Sequence, residues 1–214
     1  MNPSYPQQRL AIFASGTGSN TVNLIHYFQQ HPFITIQLIV TNNSNAGVIQ
    51  IAHQHQIPVL IIEKEKFQKT DGYVPEMQIY GINWIILAGF LWKVPPTLIE
   101  AFPHHIINIH PALLPKYGGK GMYGIKVHQA IANAGESVTG ITIHFVNENY
   151  DDGPPIFQAT CAVAPTDTPE QIAQKVHVLE YAHFPKVIEY TIMQNLKLKL
   201  STKAENLTSG PNCC

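Results

Sequence analysis

Between residues 10 and 110 the chain alternates short, almost unbroken apolar runs with amphipathic stretches of helical length, and this rhythm restricts its folds more than any other feature. The apolar runs cover residues 10–14, 34–41, 59–62, 84–88 and 105–108. A strand that is apolar at consecutive positions has no face to offer water, so its sheet must be covered on both sides. Helices are expected between the runs, over residues 19–29, 46–55, 73–81 and 96–101. Strand, crossover helix and strand in repetition mark an α/β fold with a mostly parallel, Rossmann-like sheet.

The rhythm changes after about residue 136. Residues 138–146 (VTGITIHFV) and 156–163 are β-rich with a turn between them, so antiparallel strands are expected in the C-terminal part of the sheet. A long amphipathic helix is expected over residues 169–193, with Ile172, Val176, Leu179, His183, Val187 and Tyr190 at spacings of three and four. Pro185 lies inside it and should kink or split it. A last short strand is expected over 196–200, and residues 201–214 read as a polar tail behind a single domain of residues 1–200.

Composition narrows the function classes. The 214 residues are 45% hydrophobic and only 13% charged, with a net charge of −1, so no field of one sign points to nucleic acid or to a membrane surface. No apolar run approaches the ~18–20 residues of a membrane span. The first nine residues lack the basic-then-apolar order of a signal peptide. The three cysteines, Cys161, Cys213 and Cys214, make neither a disulfide framework nor a zinc spacing, and a reducing cytoplasm is the expected compartment.

Two loops carry the chemistry. Ser15-Gly16-Thr17-Gly18-Ser19-Asn20 joins the first strand to the first helix. Glycine allows tight positive-φ backbone there, and a helix start presents unpaired N–H groups and a positive dipole end, which suits a phosphate. The pattern is not a dinucleotide fingerprint, because Thr21 stands at the third glycine and the second strand ends Thr41-Asn42-Asn43 without an acid. The plainer alternative is a tight turn capped by Ser19 or Asn20.

At Asn108-Ile109-His110-Pro111 the chain places an amide and an imidazole two residues apart on an extended segment, hence on one face, with Pro111 and Pro115 bracketing the turn that follows. A donor amide beside a titratable ring suits a reaction in which negative charge builds on oxygen. Asn149-Tyr150-Asp151-Asp152-Gly153-Pro154 brings carboxylates, and one close to His110 would favour the charged ring. On composition it is equally an exposed turn. Of the other histidines, His53, His55, His104 and His128 have no supporting neighbours and are expected at the surface or in packing.

Taken together, these motifs resemble the phosphoribosylglycinamide formyltransferases. The resemblance runs from about Arg9 to about Leu200 and rests on four segments: Ser15 to Asn20, Leu87-Ala88-Gly89-Phe90, Asn108 to Tyr117 (NIHPALLPKY) and Tyr150-Asp151-Asp152-Gly153-Pro154. It implies a formyltransferase-like three-layer sandwich and transfer of a formyl group from 10-formyltetrahydrofolate, a co-substrate, to the amine of glycinamide ribonucleotide, with no metal. It implies Asn108, His110 and Asp151 as the catalytic trio, Gly18, Ser19 and Asn20 at the substrate phosphate, and Glu180 at the same substrate. Folate is implied along Leu91, Trp92, Lys93, Val94, Asn108, Asn147, Glu148, Asn149, Tyr150 and Asp151. A cis peptide before Pro115 and a monomer or homodimer with small-molecule partners are implied as well.

The chain also departs from the family. Gly118-Gly119-Lys120-Gly121-Met122-Tyr123-Gly124 is longer and richer in glycine than expected, and reads either as a lid or as an insertion. The arginine expected at the folate tail has no counterpart, leaving Lys66 or Lys69 as substitutes. Asp152 stands where a glycine is common. A sugar-nucleotide N-formyltransferase and a catalytically silent nucleotide-binding module are the competing readings.

Overall fold

The period-two burial of the strands divides the interior in two. In a computed structural model that describes residues 5–208, with side chains through Ser201, strand β1 (Gln8–Phe13) sends Leu10 and Ile12 to one side and Ala11 and Phe13 to the other. All four are fully buried. Strands β2 (Ile34–Thr41), β3 (Val59–Ile61), β4 (Trp84–Leu87) and β5 (Ile106–His110) run parallel to β1, while β6 (Val138–Phe145) and β7 (Pro155–Ala162) are antiparallel additions. The seven-stranded order is β3-β2-β1-β4-β5-β6-β7.

Helices cover both faces, as the apolar runs demand. Helices α1 (Ser19–Phe28), α2 (Gly47–Gln54), α6 (Ile125–Asn133) and α7 (Pro169–Thr208) pack through Leu24, Ala52, Val127 and Phe184 against the face of Leu10 and Ile12. Helices α3 (Lys64–Lys69), α4 (Val74–Ile79) and α5 (Pro96–Ala101) pack through Phe67, Met77 and Leu98 against the face of Ala11 and Phe13. Each of the buried leucine, valine, phenylalanine and methionine side chains among them contributes about 1.5–3 kcal/mol relative to exposure. The result is the expected three-layer sandwich. Among the described residues no helix is long and apolar enough to cross a membrane.

Three elements differ from expectation. The strand expected over 196–200 is the continuation of α7, which runs unbroken for 40 residues and takes in the start of the expected polar tail. Residues 209–214, with Cys213 and Cys214, lie outside the described residues. Helix α3 has six residues with Phe67 its sole buried one, too short to show a period. Helix α6 follows a glycine loop and buries Val127, His128 and Ile131, one of them polar, which blurs its apolar stripe.

Pro185 does not split α7, and the packing shows what becomes of its lost hydrogen bond. Proline lacks the N–H that would bond the carbonyl four residues back, at Tyr181. The Tyr181 carbonyl instead accepts from Asn23 Nδ2 of α1 at 3.1 Å. Asn23→Ala should therefore lower stability by about 1 kcal/mol in denaturant unfolding. Adding Pro185→Ala, which restores the missing donor, should recover most of that loss. If the double variant unfolds no later than Asn23→Ala alone, the compensation is wrong.

Candidate active site

The sheet order reverses direction between β1 and β4, and the loops after these strands diverge there. Open α/β sheets form their ligand crevice at such a switch point, outside the carboxyl ends of the strands. A cavity of about 680 Å³ lies here, lined by the glycine turn Gly16 to Asn20, by Ala88 to Leu91 after β4, by Asn108 to Pro111 of β5 and by Gly119 to Ile125. Tyr150, Asp151, His177 and Glu180 close its remaining sides.

The two loops at the switch point are tied together. Ser15 N donates to Gly89 O at 3.1 Å, Leu91 N donates to Ser15 Oγ at 2.9 Å, and Ser15 Oγ donates to Asn42 Oδ1 at 2.5 Å. Gly18 caps α1 with φ +83°, and a Cβ there would stand 2.8 Å from Ile51 Cδ1 and 3.0 Å from Val48 Cα. Neither Ser19 nor Asn20 caps the helix with its side chain, so the first-turn N–H groups keep their capacity for a ligand. Asn20 Nδ2 is engaged with Glu180 Oε2 at 2.9 Å, and His177 Nδ1 lies 2.8 Å from the same oxygen. That hydrogen bond to Glu180 raises the His177 pKa, burial opposing it. Glu180 itself is only 4% exposed.

At the other end of the cavity the trio converges. His110 Nδ1 lies 3.5 Å from Asp151 Oδ2, and Asn108 Nδ2 donates to Asp151 Oδ1 at a long 3.4 Å. Gly119 N donates to Asp151 Oδ2 at 2.9 Å, so the glycine loop closes against the acid. Asp151 adopts φ +52°, a left-handed conformation that aspartate tolerates better than most residues. Asp152 turns elsewhere: its Oδ2 accepts from Asn147 Nδ2 at 3.4 Å and Asn149 Nδ2 at 3.1 Å.

His110 Nε2 donates to Tyr117 O at 2.8 Å, which fixes a proton on that nitrogen. Nδ1 then faces the Asp151 carboxylate at 3.5 Å.

Several participants were not anticipated. Strand register pairs Asn108 with His144 and His110 with Thr142. His144 Nδ1 donates to Phe145 O at 2.8 Å, leaving Nε2 to accept from Asn108 Nδ2 at 3.0 Å. Burial lowers the His144 pKa and keeps it the neutral acceptor this bond needs. Thr142 Oγ1 donates to Ala112 O at 2.7 Å and accepts from Leu114 N at 3.0 Å, pinning the turn that ends in a cis Leu114–Pro115 bond. The alternation of Thr142 and His144 in VTGITIHFV was the available signal, one face of a strand beside β5.

Of the residues placed at the folate by resemblance, Leu91, Asn108, Tyr150 and Asp151 line the cavity. Trp92 packs 6.0 Å from the ring of Phe67, Val94 is core, and Lys93 Nζ lies 6.0 Å from the centre of the Tyr150 ring. Asn147 and Asn149 shape the acidic turn, and Glu148 is exposed. Lys66 pairs with Glu76, and Lys69 with Glu65 at 3.1 Å.

Residues 8–188 match the formyl transferase family. The chain belongs to that family. This formyltransferase is 40% identical over 198 residues to the chloroplastic phosphoribosylglycinamide formyltransferase of Arabidopsis thaliana, covering 89% of this chain and 68% of that protein. It is 33% identical to the phosphoribosylglycinamide formyltransferase of Bacillus subtilis, covering 88% of this chain and 96% of that one. Its fold superposes on the crystal structure of the Bacillus halodurans phosphoribosylglycinamide formyltransferase with TM-score 0.76 and 33% identity, covering 94% of this chain and 98% of that one.

Proposed function

We propose that this formyltransferase moves a formyl group from 10-formyltetrahydrofolate to the primary amine of glycinamide ribonucleotide, a step of purine biosynthesis. The observation that carries the reading is one cavity with the Asn108, His110 and Asp151 cluster at one end and a helix start beside Glu180 at the other. Relatives named for this reaction support the acceptor.

The ribonucleotide phosphate sits at Gly18, Ser19 and Asn20, where helix N–H groups and the dipole favour an anion. Asn20 contributes its backbone there, since its amide nitrogen already serves Glu180. The folate reaches the trio along Leu91 and Tyr150. Its formyl carbon is attacked by the amine, forming a C–N bond and a tetrahedral oxyanion.

Asn108 Nδ2 has two N–H groups: one is held by His144, and the other, on its long contact to Asp151, is the one an oxyanion can take. His110 serves the same oxygen as a second donor, its Nε2–H exchanging the Tyr117 carbonyl for the oxyanion. Asp151, 3.5 Å from His110 Nδ1, orders a water that carries the proton from the attacking amine to folate N10 as the C–N10 bond breaks. The cytoplasm, a monomer or homodimer, and no nucleic-acid partner complete the reading.

Purified protein supplied with 10-formyltetrahydrofolate and glycinamide ribonucleotide should yield the formylated ribonucleotide by mass spectrometry, while a sugar-nucleotide amine gives none. Product from the sugar amine alone would transfer the enzyme to that acceptor class. No product from either, with both ligands bound, would leave a silent binding module.

A further inference from the structure

His128 is expected at the surface or in packing on sequence grounds, and its position gives it another use. Helix α6, which follows the glycine loop, places this imidazole in the cavity wall with only 3% exposure. Its Nδ1 has no hydrogen-bond partner among the described residues. A buried polar atom without a partner is uncommon, and each such case asks for a ligand, a water or a cost.

Burial pushes the ring down to about 4, with nearby His177 and His110 opposing its charge and Glu180 favouring it. His128 is thus a neutral imidazole at ordinary pH, and must carry one donor and one acceptor. It sits within electrostatic reach of Glu180 at one end of the cavity and His110 at the other. A phosphate is a poor guest for a ring that resists charge. A hydroxyl, which both donates and accepts, matches it, and a sugar carrying hydroxyls is what must span a phosphate end and a reacting amine.

We infer that His128 is a substrate-positioning residue that hydrogen-bonds a sugar hydroxyl of the phosphorylated acceptor, on the wall it shares with Glu180 and Asn20. This rests on the acceptor being a ribose 5-phosphate derivative, as proposed above. The glycine loop that leads into α6 then has a second task, since it sets the helix carrying the ring as well as closing on Asp151.

The test compares His128→Leu, His128→Asn and His128→Gln. His128→Leu should raise the KM for glycinamide ribonucleotide at least about fivefold, the loss of one hydrogen bond, and leave the KM for 10-formyltetrahydrofolate within about twofold. Unliganded His128→Leu should melt no lower than the parent, because the leucine removes an unsatisfied polar atom. At least one of His128→Asn and His128→Gln, which keep polar atoms near Nδ1 and Nε2, should recover part of the KM.

Binding probes separate this idea from the choice of acceptor. Ribose 5-phosphate should bind the parent more tightly than His128→Leu by calorimetry, whereas inorganic phosphate should bind both alike. Those affinities can be measured even if glycinamide ribonucleotide is not turned over, an outcome that defeats the proposed function alone. Equal ribose 5-phosphate affinity in parent and His128→Leu overturns the inference. A lower melting temperature with equal loss for both substrates also overturns it, leaving His128 a packing residue.

Discussion

Asp151→Asn is expected to lower kcat by about 10²–10⁴-fold, the range for removing a positioned acid–base group. Folding and substrate binding should persist. Asparagine keeps the size of aspartate and one oxygen, so Gly119 N retains its 2.9 Å acceptor and the glycine loop its closure. What disappears is the negative charge 3.5 Å from His110 Nδ1. Without it the proposed proton relay loses its carboxylate, and the proposed oxyanion partner at His110 loses its facing acid. Asp152→Asn is the matched control. That residue is exposed and engages Asn147 and Asn149, so its loss should change turnover by no more than about twofold, as for ordinary surface substitutions. Steady-state kinetics on the two variants decides the assignment; near-parental turnover in Asp151→Asn, with collapse in Asp152→Asn, would reverse it.

The contrast between these neighbours shows what the sequence could and could not tell. Two adjacent carboxylates are indistinguishable on paper, and motif register alone favoured Asp151. The backbone separates them: a left-handed residue at 151 directs one acid inward, while its neighbour closes an Asn-rich turn. The parallel core was legible because burial on both faces leaves unbroken apolar runs such as 10–14 and 84–88. The 196–200 segment misled for a related reason. Its alternation of leucine and lysine imitates a half-buried strand, yet Leu198 is 70% exposed on a helix whose preceding turns are anchored by Ile188 and Ile192. Tertiary anchoring upstream overrode the local period. Glu180 and Asn20 were named separately, and their direct hydrogen bond across 160 residues was not visible from either segment. His144 was missed because a histidine's meaning depends on what it faces, and only strand register supplies that.

Asn108→Ala is expected to cost about 10²–10³-fold in kcat, the loss for deleting one oxyanion donor, with little effect on the KM of either substrate. The size follows from how the amide is held. His144 Nε2 takes one of its N–H groups at 3.0 Å, and His144 is itself fixed by its bond to Phe145 O, so the second N–H arrives already aimed. His144→Leu should therefore be harmful but less so, roughly tenfold, because the donor survives while its direction is released. The double variant distinguishes aim from direct action. If His144 works only through Asn108, Asn108→Ala/His144→Leu should be no slower than Asn108→Ala, since there is no longer an amide to orient. Multiplication of the two losses would mean that His144 has its own contact with the reacting atoms. The strand pairing of positions 108 and 144 would then carry two catalytic groups rather than one group and its support.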